Sequence, residues 1–162
     1  MKTDKKIVSL AALKRNISRL RRQGKKIAFT NGCFDILHYG HVSYLESAKK
    51  HNRVLVVGVN SDSSVQKIKG PKRPIIKQKE RAALLAALAC IDFVIIFNEE
   101  TPLHLIQAVK PDILIKGADW KNKTAVGSEF VKLYGGRVEF IQYLSNFSTS
   151  KIIETIGQRW GR

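Results

Sequence analysis

Acidic residues are scarce in this chain: 13 Asp and Glu stand against 29 Lys and Arg, for a formal net charge of +16. A field of that sign attracts phosphates, whether strung along a nucleic acid or carried by a nucleoside triphosphate and a sugar phosphate, and charge does not separate these. Cysteine is nearly absent. Cys33 and Cys90 form neither a disulfide framework nor a metal-binding spacing, so both are expected to be free thiols of a reducing compartment. No apolar run approaches the length of a membrane span, and Met1 to Lys6 lacks the apolar stretch of a signal peptide, so the expectation is a soluble, cytoplasmic protein without a membrane partner. The missing G-x-G-x-x-G argues against a dinucleotide dehydrogenase, and the missing P-loop means that phosphates must be gripped in another way. There is no internal repeat or low-complexity stretch, and 162 residues is the length of one domain with a core of its own.

What is present centres on Thr30 to Tyr44, Thr-Asn-Gly-Cys-Phe-Asp-Ile-Leu-His-Tyr-Gly-His-Val-Ser-Tyr. Lys26-Ile27-Ala28-Phe29 before it is β-prone, and Val42, Leu45 and Ala48 after it lie at helical spacing, which predicts a strand entering and a helix over Val42 to Lys50 leaving. Gly40 lets the backbone approach a ligand, and His41 falls in the first helical turn. Helix N-termini attract anions and imidazoles donate hydrogen bonds to phosphoryl oxygens, so the stretch reads as a phosphate site with His38 and His41 added. Two histidines near a helix start are elsewhere ordinary caps or surface residues. The order strand, glycine loop, Phe-Asp, helix favours the functional reading.

The rest of the chain alternates strands and helices. Ser9 reads as the N-cap of a basic amphipathic helix within residues 1–24, with Leu10, Leu13, Ile17 and Leu20 on the face that packs on the following domain, 25–162, and Gly24 at its end. Its other face, Lys14, Arg15, Arg19, Arg21 and Arg22, reads as a solvated face rather than a nucleic-acid surface. Val54 to Val59 reads as a buried parallel strand running into Asn60-Ser61-Asp62, where Asp62 either lines a ligand crevice or caps a short helix. Lys67 to Pro74 contains Gly70 and two prolines and reads as a mobile basic loop. A helix over Gln78 to Ala89, a strand Phe93 to Phe97, a helix opened by Thr101 as N-cap and Pro102 at N1, a strand Ile113 to Lys116, a helix from Val126 to Gly135 and a strand Val138 to Ile141 follow. Ser148, Thr149 and Ser150 stand at the start of the last helix, where hydroxyls cap. The fold class is therefore α/β, a Rossmann-like doubly wound parallel sheet of about five strands in a single domain.

Asn31-Gly32-Cys33-Phe34-Asp35 followed by His38-Tyr39-Gly40-His41 resembles the nucleotidyltransferase superfamily that includes glycerol-3-phosphate cytidylyltransferase and pantetheine-phosphate adenylyltransferase. Within it the pattern is most similar to the adenylyltransferases of ADP-heptose synthesis, over about Lys6 to Ile156. The resemblance implies that AMP passes from ATP to D-glycero-β-D-manno-heptose 1-phosphate, with His38, His41 and either Lys116 or Arg81 neutralising charge. It implies nucleotide contacts from Thr30, Asn31, Gly32, Cys33, Phe34, Gly40, Gly117, Asp119 and the hydroxyls Ser148, Thr149 and Ser150. Acceptor contacts are expected from Asp35, Asn60, Asp62, Lys69 and Arg73. It also implies a Mg²⁺ ion held mainly by ATP phosphates, with no protein ligand set. Trp120 either stacks on a base or covers the core. Ser43 stands where many cytidylyltransferases carry lysine, which favours ATP over CTP. The expected partners are ATP and a sugar 1-phosphate, nucleic acid is not expected, and a homodimer is compatible with this reading. The resembled enzyme is often fused to a sugar kinase domain, so a separate kinase and phosphatase are expected to supply the substrate. The same-class alternative is a cytidylyltransferase for glycerol 3-phosphate, and the different-class one a basic nucleic-acid-binding protein on the same fold.

Overall fold

The structure is a computed structural model that describes residues 3–121, 124–142, 144 and 147–161. The strands are β1 (Lys26–Gly32), β2 (Arg53–Asn60), β3 (Phe93–Phe97), β4 (Ile113–Gly117) and β5 (Arg137–Ile141). The helices are α1 (Leu10–Arg22), α2 (Tyr39–Ala48), α3 (Asp62–Lys69), α4 (Gln78–Ala87), α5 (Leu103–Val109), α6 (Ser128–Leu133) and α7 (Thr149–Trp160). All strand pairs are parallel, in the order β3-β2-β1-β4-β5. The chain therefore winds outward from β1 to β3, returns to the other side of β1, and winds outward again to β5.

Both sheet faces are covered, which explains why every residue of β2 is buried and why that strand reads as a continuous apolar run. One face carries α2 and α4, whose Tyr44, Leu45, Ala48, Ala82, Leu85 and Ala86 meet Ala28, Leu55, Val57 and Ile115. The opposite face carries α1, α5 and α6, whose Leu13, Ile17, Leu105, Ile106 and Val131 meet Ile27, Phe29, Val56 and Leu114. Each fully buried Leu or Ile of this kind contributes about 1.5–3 kcal/mol, so the stripe on α1 suffices to seat that helix. Ser9 caps α1 by accepting from Ala12 N–H, and Gly24 adopts the left-handed φ of 73° that ends it. At the sheet's β3 edge, Ile7 pairs with Val94.

Three local expectations are corrected. α2 begins at Tyr39, because His38 in extended conformation occupies the cap position and the helical apolar pattern becomes visible only a turn later. Lys67, Ile68 and Lys69 are not loop residues but the last turn of α3; two lysines there complement the helix dipole, and Gly70, at φ 92°, stops the helix. α5 starts one residue late, with Pro102 rather than Thr101 at the cap position.

Candidate active site

The carboxyl ends of β1 and β4 lie side by side where the winding reverses, and such a switch point opens a crevice in an α/β sheet. Across it Lys116 Nζ donates to Asn31 Oδ1 at 2.7 Å. Here lies a cavity of about 310 Å³ lined by Asn31, Gly32, Cys33, Asn60, Lys116, Gly117 and Trp120, together with Tyr44, Ile68, Glu100, Thr101, Pro102 and Val126. A larger groove of about 710 Å³ runs along α6 and β5 and contains none of the expected site residues. Burial lowers the Lys116 ammonium to about 8, so it sits close to its titration point at neutral pH. Trp120 forms part of the cavity wall and is 38% exposed, leaving ring surface for a ligand.

Beside the cavity, the loop from Cys33 ends on His38 at the cap of α2, and His41 follows in the first turn of that helix. His38 and His41 stack with ring centroids 3.8 Å apart and planes 21° apart, and Phe34 meets His41 edge-on at 5.3 Å. Both Nδ1 atoms are buried without a hydrogen-bond partner. Leaving such an atom unpaired costs about 1–3 kcal/mol, a cost tolerated where a ligand supplies the partner. Burial lowers the basicity of both rings. For His41, burial and then the neighbouring His38 bring the value to about 4, against the opposing pull of Asp35. At neutral pH the pair is therefore uncharged, each ring offering one N–H.

Two helix N-termini meet at this loop. α2 starts directly after His38, and the lead-in to α7 lies against it: Phe147 packs edge-on to Tyr39 at 5.4 Å. Gly40 is required by that approach, since a Cβ there would lie 2.8 Å from Phe147 Cβ and 3.2 Å from the His38 ring. Ser148 caps α7, its Oγ accepting from Lys151 N–H at 3.1 Å, and Ser150 is exposed in the first turn. Thr149 Oγ1 donates to the Asp35 carbonyl oxygen at 2.5 Å. The loop itself is strained, because Phe34 and Ile36 are left-handed at φ 48° and 51°, each at a cost of about 1–3 kcal/mol that surrounding bonds must offset.

Several of the residues expected to touch a ligand are engaged within the protein. Thr30 is fully buried with its hydroxyl on Tyr44 Oη at 2.9 Å, and it does not line the cavity. Phe34 backs His41. Arg81 is fully buried: Nε donates to Ile76 O, Nη1 to Cys33 O and Nη2 to Asp62 Oδ1. It does not line the cavity, and the α3 residue Asp62 serves as its counter-ion. Asp35 is 1% exposed; its carboxylate accepts from Arg73 Nε, Ile75 N–H and Ile76 N–H. Burial alone would raise the Asp35 carboxyl, but those three donors hold it below its ordinary value. Asn60 is buried and donates to Ser64 Oγ while lining the cavity. Asp119 is exposed on the 3₁₀ turn Ala118–Trp120, outside the cavity lining. Burial pushes the Cys33 thiol up despite Lys69, Arg81 and Arg73 nearby, so it lines the cavity as an un-ionised thiol.

Arg73 therefore does not ride on a free loop. It is pinned to Asp35, while Lys69 is exposed at the end of α3. Arg73→Ala should lower stability by about 2 kcal/mol by leaving a buried carboxylate one donor short, and Lys69→Ala should stay within about 0.5 kcal/mol of the parent. Urea unfolding of the two variants checks this, and equal midpoints would refute the pinning.

The sequence carries no signal for Phe147 as a neighbour of Gly40, Tyr44 as the partner of Thr30, Ser64 as the partner of Asn60, or Glu100 and Thr101 in the crevice wall. Apart from Tyr44, which stands one helical turn after His41, none lies within the histidine stretch.

Residues 29–155 match the cytidylyltransferase-like family, and the chain belongs to that family. It is 51% identical over 159 residues to the bifunctional protein HldE of Geobacter metallireducens, covering 98% of this chain and 32% of that protein. To the bifunctional protein HldE of Helicobacter pylori it is 53% identical over 154 residues, covering 95% of this chain and 32% of that protein. The chain thus spans about a third of the length of these relatives. Among solved structures it is similar to the lipopolysaccharide core biosynthesis protein of Thermoplasma volcanium, with a TM-score of 0.61 and 33% identity over 74% of this chain and 96% of that one. Among the described residues no helix is long and apolar enough to cross a membrane.

Proposed function

We propose that the chain is an adenylyltransferase that joins ATP to D-glycero-β-D-manno-heptose 1-phosphate, giving ADP-heptose and pyrophosphate. The observation that carries this reading is the stacked, uncharged His38–His41 pair, with its unpaired buried nitrogens, between two helix N-termini beside the switch-point crevice. Family membership, the HldE relatives and the similarity to a lipopolysaccharide core biosynthesis protein support it.

In this reaction a phosphate oxygen of the sugar phosphate attacks the α-phosphorus of ATP in line. A P–O bond forms there, the bond to the bridging oxygen of the β-phosphate breaks, and pyrophosphate leaves. The nucleophile is already an anion, so no base or covalent intermediate is needed. The chain's task is to align two polyanions and stabilise the charge that builds on the phosphoryl oxygens. His38 and His41 donate N–H bonds to those oxygens, and the N-termini of α2 and α7 receive the phosphates with Ser148 and Ser150. Lys116 brings a cation from the crevice side, with Asn31 holding its amine in place. Asn60, Gly117 and Trp120 shape the cavity that takes the non-phosphate parts of the substrates.

Among the described residues no group of three His, Cys, Asp or Glu is placed to hold a metal ion, and Asp35 and Asp62 are already engaged by arginines. That donor set fits a Mg²⁺ that arrives on the ATP phosphates, where it would withdraw charge from them.

The test is pyrophosphate release with each nucleoside triphosphate, Mg²⁺ and a panel of sugar and polyol phosphates. ATP with the heptose 1-phosphate is expected to be the preferred pair. Strong turnover of CTP with glycerol 3-phosphate, and none of the expected pair, would overturn the reading. A pH profile adds a second check. If the Lys116 cation is required, kcat/KM falls as pH rises through about 8, because the charged form is lost there. Lys116→Met should lower turnover and abolish that alkaline limb, and a limb that persists in the variant belongs to another group.

A further inference from the structure

We infer that Thr149 and Asp35 are positioning residues: they dock the start of α7 onto the strained loop Phe34–Ile36 and so aim His38 and His41, rather than touching phosphate or sugar themselves. The inference rests on the reading of the histidine pair as the groups that meet the reacting phosphates.

The argument is one of hydrogen-bond capacity. A threonine hydroxyl has one proton, and Thr149 gives it to the Asp35 carbonyl oxygen. What remains on Oγ1 is lone-pair density, which repels a phosphate oxygen. Ser148 is the opposite case, since its Oγ accepts from Lys151 N–H and keeps its proton to give. Adjacent hydroxyls that look equivalent in sequence are therefore assigned different tasks, phosphate donor for Ser148 and register pin for Thr149. The Asp35 carboxylate already accepts three hydrogen bonds and its side chain is 0% exposed, so burial keeps substrate from it.

The same bonds explain how the loop tolerates two left-handed non-glycine residues. Around Phe34 and Ile36, the Cys33 carbonyl accepts from Arg81, the Asp35 carbonyl accepts from Thr149, and the Asp35 carboxylate takes Arg73 and two backbone N–H groups of the 75–76 strap. α7 contributes no buried residue of its own among those described. Beyond the half-buried Ile152 and Ile153, its placement rests on the contacts at its start, Thr149 with Asp35 and Phe147 with Tyr39 and Gly40. Releasing the pin lets α7 drift from α2 and opens the histidines to water.

The experiment compares Thr149→Val, which keeps the shape without the hydroxyl, with Thr149→Ser, which keeps the hydroxyl. In the ligand-free protein, imidazole NMR signals of His38 and His41 are followed through a pH titration. Thr149→Val should shift both sets of signals and raise the His41 midpoint from about 4 by about one unit toward its ordinary value as burial is relieved, while Thr149→Ser stays close to the parent. With ATP and heptose 1-phosphate, Thr149→Val should lose about 10-fold or more in kcat with the ATP KM within about threefold, and Thr149→Ser should recover most of it. Thr149→Ala is read in the same way should the valine variant not fold. Ligand-free histidine signals that coincide with the parent's in the valine or alanine variant would overturn the inference, because Thr149 would then act by touching the nucleotide. If the parent itself turns over no substrate pair, the proposed reaction fails, and the ligand-free signals still decide the role of Thr149.

Discussion

His41→Ala is expected to lower turnover by about 10²-fold or more while leaving the protein folded, the scale for removing one donor aimed at developing phosphoryl charge. The ring is half-buried, stacks on His38 and is met by Phe34, but it makes no hydrogen bond through Nδ1, so little of the fold depends on it. Because burial holds His41 near 4, the ring acts at neutral pH as an uncharged donor, and activity that depends on it should persist well below pH 6. Stability carries the opposite signature of the same shift. The folded ring binds a proton less readily than the unfolded one, so its contribution is present above about 6.5 and is lost as pH falls toward 4. His41→Ala should therefore be relatively more resistant than the parent between pH 6.5 and 4, while far less active at pH 7. Denaturant midpoints at several pH values and steady-state pyrophosphate release measure the two halves. A folded variant that turns over within about threefold of the parent would remove His41 from the mechanism.

The histidine pair was legible in the sequence because its signal is local. A strand, a glycine and a helix start within Lys26 to Ala48 place His38 and His41 relative to one another without help from the rest of the chain. The parallel sheet was legible for a related reason, since each of its strands reads as a compact β-prone run between helical segments. What could not be read was which polar residues face the crevice and which lie beneath it. Asp35, Thr30 and Arg81 look like ligands in sequence because they flank the motif or match a family position. Their burial depends on the strap at 73–76, on Tyr44 and on Asp62, which come together only through tertiary packing. The basic segment misled in the same way: Gly70 and two prolines are loop signals, but Lys67 to Lys69 complete α3 and Arg73 finds a buried carboxylate. On the basic face of α1, Lys14, Arg15, Arg19 and Arg22 are exposed as the amphipathic pattern predicts, with no such tertiary partner among the described residues.

Arg81→Ala should cost about 2–4 kcal/mol of stability, the scale for removing a fully buried side chain that serves three acceptors, one of them the quarter-exposed Asp62 carboxylate. The Arg81 side chain is 0% exposed, and its guanidinium ties three separate segments: the strap through Ile76 O, the histidine loop through Cys33 O, and α3 through Asp62. Its loss leaves two carbonyls and a carboxylate short of a donor at once and removes one of the bonds that hold the left-handed Phe34 in place. Domains of this size are stable by about 5–15 kcal/mol, so the variant should be marginal at physiological temperature. Arg81→Lys should recover less than half of the loss, because a single ammonium on a flexible stem cannot present the planar fork that reaches all three acceptors. Equilibrium unfolding in urea measures both. A loss below about 1 kcal/mol for Arg81→Ala would mean that the segments are held by other contacts. A direct catalytic role predicts the reverse pattern, an alanine variant as stable as the parent and defective only in turnover.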